Sequence, residues 1–434
     1  MTVDRGREIE RVLYVGAWMD VGGAEKFALD ALNQLRSKAI RTALVTTVKS
    51  EHRWRSRFEP LVEASVDLTK VPLLRRAATF ARFASEFDPD VIVISNSRYL
   101  YDLVPYVRHQ VPRAKIVDYC HAEQPEWRHG GYPRMSIRQG RFLSRTMCAS
   151  SHLKQWMTIR GADIDRCDVV HCNVDVDFWD RRHVGRQEAR ESLGLSATDF
   201  VVAVVGRLDA NKRPLVAFEA IAMAAQAMPI TALFVGSGPL EAQLRTRAQA
   251  SPGVRLEVRS GGPETVRAVY GAADVLMLPS LAEGISLALY EAMAMGLPVL
   301  ASAVGGHREL IDASTGVLVA LSGVAAVDVE RFATQLSSLL RSPQLRGDLG
   351  AAARRRVVAE FSLPSMGDTF VASLERALPQ SAVARKLAVV AWLRATASSA
   401  TEAARTRVVK RARQVVERSC VVGRSLVGAH RLPR

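Results

Sequence analysis

Short apolar runs, each closed by a glycine or polar turn and followed by a helical stretch, recur along this chain and set what it can fold into. Arg11 to Val15, Thr42 to Val48, Val91 to Ser95, Ile116 to Tyr119, Arg145 to Ala149 and Asp168 to His171 make up the first series. Phe200 to Val205, Ala232 to Val235, Val254 to Val258, Val275 to Leu278 and Pro298 to Ser302 make up the second. Runs this short and apolar suit strands buried on both faces of a parallel sheet, with the helices between them as crossovers. At 434 residues the chain exceeds one average core, and the polar stretch Arg181 to Asp199 interrupts the pattern. The expected fold class is α/β, with two doubly wound, Rossmann-like domains facing each other across a cleft. Residues 1–185 form the first domain and 186–360 the second.

The chemistry is expected in Ala273 to Gly306. A strand there ends at Pro279 and Ser280, and a helix is predicted from Ile285 to Met295, closed by Gly296 and Pro298. The first amides, on Ile285, Ser286 and Leu287, lack partners inside such a helix and lie at the positive end of its dipole, which suits a phosphate. Glu283 precedes them. Glu291 lies about 9 Å along the axis at roughly 1.5 Å per residue, and helical side chains lean toward the N-terminus, so its carboxylate reaches back to the same ligand. The plainer alternative makes Glu291 solvated and Glu283 an ordinary helix-start acid. Against it, Glu291 is the only charged residue between Glu283 and Arg308, and a carboxylate in so apolar a unit is costly without a partner.

Other turns carry weaker signals. Gly22 and Gly23 sit between a strand and the helix predicted from Glu25 to Leu35, where free amides approach a ligand closely. A G-x-G-x-x-G is missing, so a dinucleotide cofactor is unsupported. Gly206, Arg207 and Lys212 follow a strand at the sheet's carboxyl edge, where two cations can neutralise a diphosphate. Gly236 repeats that turn after the next strand. His121 ends the strand Ile116 to Tyr119 and faces the crevice of an open α/β sheet. Lys49 to Phe58, rich in arginine and holding Trp54, is expected to be a solvated loop instead of an acceptor or membrane contact.

Taken in order, GGAE at Gly22, VVGRLDANK ending at Lys212, FVGSGPLEAQL, EGISLALYE and the pair ending at Gly306 resemble the GT-B retaining glycosyltransferases of the large family 4. The likeness runs from about Val12 to Leu378 and is thinner in the first half, where Gly22, Gly23 and His121 carry it. It implies a donor side in 186–360 and an acceptor side in 1–185, with 361–380 a closing helix that returns to the first domain. By position, His121, Arg207, Lys212 and Glu283 would be the catalytic residues. Gly22, Gly23, Gly206, Gly236, Arg259, Gly284, Ile285, Ser286, Leu287 and Glu291 would bind the donor, a UDP-sugar or GDP-sugar. No cofactor and no metal is implied, the leaving phosphate itself taking the acceptor's proton. The acceptor would be a carbohydrate or lipid-linked. The family often has glycine after the lysine, where this chain has Arg213 and Pro214; proline suits a first helical turn. An isomerase or hydrolase of nucleotide sugars would share the fold but needs further acid and base groups in the cleft.

Charge separates the tail from this body. Residues 381–434 hold 12 Lys and Arg against Glu402 and Glu417, within a total of +15. That basic tail, helical or disordered, is expected to be an arm for an anionic membrane surface. Leu387, Val390, Ala391, then Val408, Val409, Val415, Val416 and Val421 would form one side of it, with Trp392 at the interface. A nucleic-acid partner is disfavoured, since the tail has one aromatic and no such motif. The first residues lack a signal-peptide core and no run reaches a membrane span, so a cytoplasmic protein, peripheral at the inner face of the membrane, is expected. The five cysteines lack paired spacing and are expected to be reduced, and Cys167, His171 and Cys172 are a poor metal set.

Overall fold

The computed structural model describes residues 9–123, 131–378 and 383–399. The first sheet holds β1 (Arg11–Gly16), β2 (Arg41–Thr46), β3 (Ala64–Asp67), β4 (Val91–Ser95), β5 (Lys115–Cys120), β6 (Arg145–Cys148) and β7 (Cys167–Val169), ordered β3-β2-β1-β4-β5-β6-β7. The second holds β8 (Phe200–Val205), β9 (Ile230–Val235), β10 (Val254–Arg259), β11 (Val275–Leu278), β12 (Val299–Ser302) and β13 (Val317–Val319), ordered β10-β9-β8-β11-β12-β13. Every pairing is parallel. Two doubly wound α/β domains are therefore present. Each order reverses beside the domain's first strand, between β1 and β4 and between β8 and β11, and such a switch point opens a crevice at the carboxyl ends of the strands.

The apolar runs became strands because helices cover both faces of each sheet. β4 and β11 are buried along their whole length. The helix Gly23–Ser37 lays Phe27, Ala31, Leu32 and Leu35 on the first sheet, at the spacing of one helical face, and Phe27 stacks on Tyr119 with centroids 3.9 Å apart. β3 and β13 are additional edge strands of four and three residues.

The chain crosses between domains twice. After β7 it passes through Val174, which meets the returning chain: its amide donates to the Phe361 carbonyl at 3.0 Å, and its carbonyl accepts from Leu363 at 3.1 Å. The helix Leu363–Glu375 then lies along the helix Gly23–Ser37. Asp168 fastens it, accepting from Ser373 at 2.7 Å and pairing with Arg145 at 2.5 Å and Arg376 at 3.0 Å.

One expectation changes and another is refined. The helix Arg385–Ser398 does not stand free. It buries Ala388, Ala391 and Ala395 against the helix Arg98–Gln110, and Trp392 packs on the first domain's core instead of facing an interface. Small alanines on that face let the two helices approach closely. Val408, Val409, Val415, Val416, Val421 and Cys420 lie outside the described residues. The stretch Lys49 to Phe58 keeps Lys49, Arg53 and Arg57 exposed, as a solvated loop should, but it is anchored. His52 is buried at φ 53, its Nδ1 accepts from the Met19 amide at 3.0 Å, and the Trp54 amide donates to the Met19 carbonyl at 2.9 Å. Arg53 pairs with Asp20 at 2.5 Å, so the segment is stapled to the turn after β1. Among the described residues, no helix is long and apolar enough to cross a membrane.

Candidate active site

At the carboxyl end of β8 the chain turns through Gly206, at φ 145, beside Gly236 at φ 147. A Cβ on Gly236 would stand 2.0 Å from the Gly206 carbonyl oxygen, so the loops after β8 and β9 touch through backbone alone. Asp209 accepts from the Lys212 amide at 3.0 Å and shapes the turn. Asn211 ties it to the loop after β11. Its Nδ2 donates to the Ala282 carbonyl at 3.0 Å, and its Oδ1 accepts from the Ala282 amide at 3.2 Å. This stitching brings Lys212 Nζ to 2.5 Å from Glu283 Oε1. Burial works to raise the Glu283 carboxyl, but the Lys212 ammonium and then His307 outweigh it and hold it below its ordinary value. Arg207 stands apart, 75% exposed, with Asp209 at 3.0 Å. Arg213 occupies the left-handed region at φ 52, the conformation that favours glycine, and forms a buried pair with Asp328 at 2.9 Å. Pro214 starts the next helix as expected.

The helix after Glu283 runs Leu287–Ala294, two residues later than expected, with Ser286 extended before it. The delay has a packing cause. The Gly306 amide donates to the Gly284 carbonyl at 2.6 Å, and a Cβ on Gly305 would come within 1.8 Å of the Glu283 carbonyl oxygen, so this backbone is held open. The amides of Gly284, Ile285, Ser286 and Leu287 find no acceptor among the described residues. Glu291 does face inward. Burial raises its carboxyl to about 7, with Lys26 of the first domain opposing that rise and Asp30 adding to it.

The first domain closes the cleft. A Cβ on Gly284 would come within 2.0 Å of the His121 carbonyl oxygen, so the loop after β5 and the loop after β11 are in backbone contact. His121 Nε2 lies 2.9 Å from Ser95 Oγ, and burial drives the imidazole down to about 3, which makes it neutral at physiological pH. Gly23 approaches Leu287, at 3.6 Å for an added Cβ, and the nearest atom to such a Cβ on Gly22 is the mobile end of Glu25. The chain's own packing thus does not demand glycine at either position. Glu309 reaches from the second domain to the helix Ser151–Ile159 of the first, accepting from the Ser151 and His152 amides at 2.8 Å each and lying 3.0 Å from His171 Nε2.

Lys212, Glu283, Gly284 to Leu287, Glu291, Gly23 and His121 therefore converge on the cleft. The Arg259 side chain does not join them: its guanidinium donates to the Leu193 carbonyl at 3.3 Å, at the sheet's outer edge. Cys167, His171 and Cys172 diverge, His171 to Glu309 and Cys172 to the Tyr119 hydroxyl at 3.5 Å. Cys120, Cys148, Cys167 and Cys172 are all buried free thiols.

Two family models match this chain, one described as Glycosyltransferase Family 4 over residues 21–178, the other as Glycosyl transferases group 1 over residues 185–356. The chain belongs to the group 1 glycosyltransferase family. The D-inositol 3-phosphate glycosyltransferase of Mycobacterium marinum is 32% identical over 275 residues, covering 61% of this chain and 56% of that protein. This chain spans about half the length of the curated relatives it matches. Anabaena HepE in complex with UDP shares the GT-B fold at a TM-score of 0.70 and 19% identity, over 84% of this chain and 99% of HepE. A glycosyltransferase from Rickettsia africae does so at 0.71 and 17%, over 86% and 100%.

In this group 1 chain, sequence reasoning missed four contributors. Asn211 stitches the two cation- and carboxylate-bearing loops. Lys26 faces Glu291 from the opposite domain, and Tyr270 adjoins it. His307 is fully buried, its Nδ1 2.8 Å from the Ser302 carbonyl oxygen and its Nε2 without a partner among the described residues, beside Glu283. The histidine directly after the glycine pair was the one available signal.

Proposed function

We propose that this chain transfers a sugar from a nucleoside diphosphate sugar with retention of anomeric configuration and without a metal. The observation that carries the reading is the Lys212–Glu283 pair standing beside unpartnered amides at a helix start, at a sheet switch point closed over by His121. A diphosphate at those amides exchanges Lys212 from Glu283 to its own oxygens, and Glu283 then accepts from hydroxyls of the transferred sugar. Arg207, solvated without ligand, adds its planar fork to the same diphosphate. Glu291 accepts from the ribose hydroxyls. Neutral His121 hydrogen-bonds the sugar from the acceptor side. The sugar–phosphate bond breaks as the acceptor oxygen bonds to the same carbon, and the acceptor's proton passes to the leaving phosphate, whose charge the cations stabilise.

UDP-sugars are the first donors to test, because HepE, of the same fold, is seen with UDP; GDP-sugars come next. Carbohydrate and lipid-linked acceptors belong to this reading, and an inositol phosphate joins the panel through the name of the Mycobacterium marinum relative. Lys212→Ala is expected to lower turnover by roughly 10² to 10⁴ with the donor so found, as loss of one preorganised donor to developing charge does. Unchanged turnover, or a strict requirement for metal after EDTA treatment, would sink the reading. Product formed only with acceptor present separates transfer from hydrolysis. The reading extends to an acceptor held at a membrane, supported by Leu387 and Val390, which stay 43% and 47% exposed beside Arg394. Co-sedimentation with anionic vesicles, wild type against a Leu387→Glu, Val390→Glu double variant, tests that extension, and equal binding by both would remove it.

A further inference from the structure

A cavity of about 850 Å³ lies on the far side of the second domain from the cleft. Its walls are the interdomain linker at Asp180 to Arg186, the entrances to β11 and β12 at Asp274 and Pro298, and one face of the helix Pro343–Glu360. Its apolar floor combines Met295, Leu297 and Pro298, which are buried, with Ala351 and Val358, which are exposed. Six arginines and two aspartates complete it.

Both aspartates are already saturated. Asp180 takes Arg182 and Arg354 at 2.6 Å each, and Asp274 takes Arg186 at 2.7 Å and Arg190 at 2.9 Å. The remaining cations, Arg181, Arg346 and Arg355, form no ion pair among the described residues. Among the described residues Arg181 hydrogen-bonds only the Gly271 carbonyl, at 3.3 Å, and burial followed by repulsion from Arg186 outweighs the attraction of Asp274 and depresses its guanidinium. Arg355 has no hydrogen bond or ion pair among the described residues, and Arg346 is held only by the carbonyls of Leu339 and Leu340 and by the Phe200 ring. Guanidinium groups gathered around one cavity repel one another without a counter-anion, and their planar forks match phosphate. A cavity near the upper end of the usual range for small-molecule sites is too large for bare phosphate, and its apolar floor gains from covering apolar surface.

We infer that this cavity binds an amphiphilic phosphate, a phosphomonoester carried on an apolar body, independently of the glycosyltransferase cleft. Its place gives the ligand leverage. Arg354 joins the helix Pro343–Glu360 to the Asp180 carboxylate, the Trp179 carbonyl and the Ala294 carbonyl, and Ala294 ends the helix whose other end faces the cleft. A molecule seated here therefore braces the linker and the far end of that helix together.

The test is calorimetry on the full chain with monomeric dihexanoylphosphatidic acid, inorganic phosphate and the neutral dihexanoylglycerol. The phosphatidic acid is expected to bind one site at least tenfold more tightly than either of the others, and more weakly as salt rises. Arg355→Glu and Ala351→Trp, both at exposed positions, should each lower that affinity tenfold or more, while Lys212→Ala should leave it unchanged. Absence of binding by the wild type, equal affinity for inorganic phosphate, or binding that survives both cavity variants would overturn the inference. Loss in Lys212→Ala would move the site to the cleft and overturn it equally. Vesicles of long-chain phosphatidic acid separate the sources: Arg355-dependent capture assigns a membrane lipid, and Arg355-independent behaviour a soluble ester.

Discussion

Glu291 shows what burying a carboxylate in the cleft costs the protein. Its carboxyl is raised from 4.5 to about 7, because burial disfavours the charge more than Lys26 favours it. An acid raised on folding holds its proton more tightly folded than unfolded. The stability that this proton gives is complete below about pH 4.5 and is lost as pH rises through 7. Glu291→Gln should remove that loss, making the ligand-free chain more stable at pH 8 by on the order of 1–3 kcal/mol, at about 1.4 kcal/mol per pKa unit, and nearly unchanged at pH 4.5. Denaturant unfolding at the two pH values checks it; a variant less stable at pH 8 would show a carboxylate with better partners than Lys26. Gly284 is a steric case. Gly284→Ala sets a methyl against the His121 carbonyl, so the two domains must part by a fraction of an ångström or more. Turnover should fall by roughly 10² while the melting temperature moves little, since misplacement of that size is enough to spoil the geometry of transfer.

At the level of elements, the returning helix Leu363–Glu375 hangs on Asp168. Burial works to raise that carboxyl, but Arg145, Ser373 and Arg376 hold it down to about 2. A depressed acid stabilises the fold above its ordinary pKa near 3.8, and the contribution disappears as pH falls from there toward 2. Asp168→Asn should therefore cost about 1–3 kcal/mol at pH 7 and roughly a third of that at pH 2.5, and should speed proteolysis near Leu363. Resistance to protease equal to wild type would mean the helix is held by its apolar face alone. How far such elements were readable follows from their physics. Long buried strands announce themselves by unbroken apolar runs, and β4 and β8 lie where those runs are. β3 did not, because ASVD at a sheet edge, partly exposed, carries no such run, whereas β13 opens the apolar run Val317 to Leu321 and was overlooked there. The helix after Glu283 starts late because Gly305 and Gly306, some twenty residues on, hold its first residues extended. Where the Arg259 side chain lies was not legible for a related reason: a position at a strand's end does not say which way a long side chain turns. Pairings such as Lys26 with Glu291 depend on how two domains meet, and no local spacing records that.

The whole molecule is held closed by contacts that change owner at the cleft. Glu309 belongs to the second domain, and its donors, the Ser151 and His152 amides and His171, belong to the first. Glu309→Ala should favour separation of the domains, seen as a larger radius of gyration of the ligand-free chain in small-angle scattering, with each domain's core intact. An unchanged radius would assign closure to the backbone contacts at Gly284 and Gly306. The same carboxylate has a second effect. The start of the helix Ser151–Ile159 is a place where a stray anion from solution would settle, yet it already holds an anion supplied by the protein. The closed chain thus carries its own competitor at that helix start, and leaves the vacant amides beside Glu283 as the place in the cleft where an incoming phosphate meets no rival.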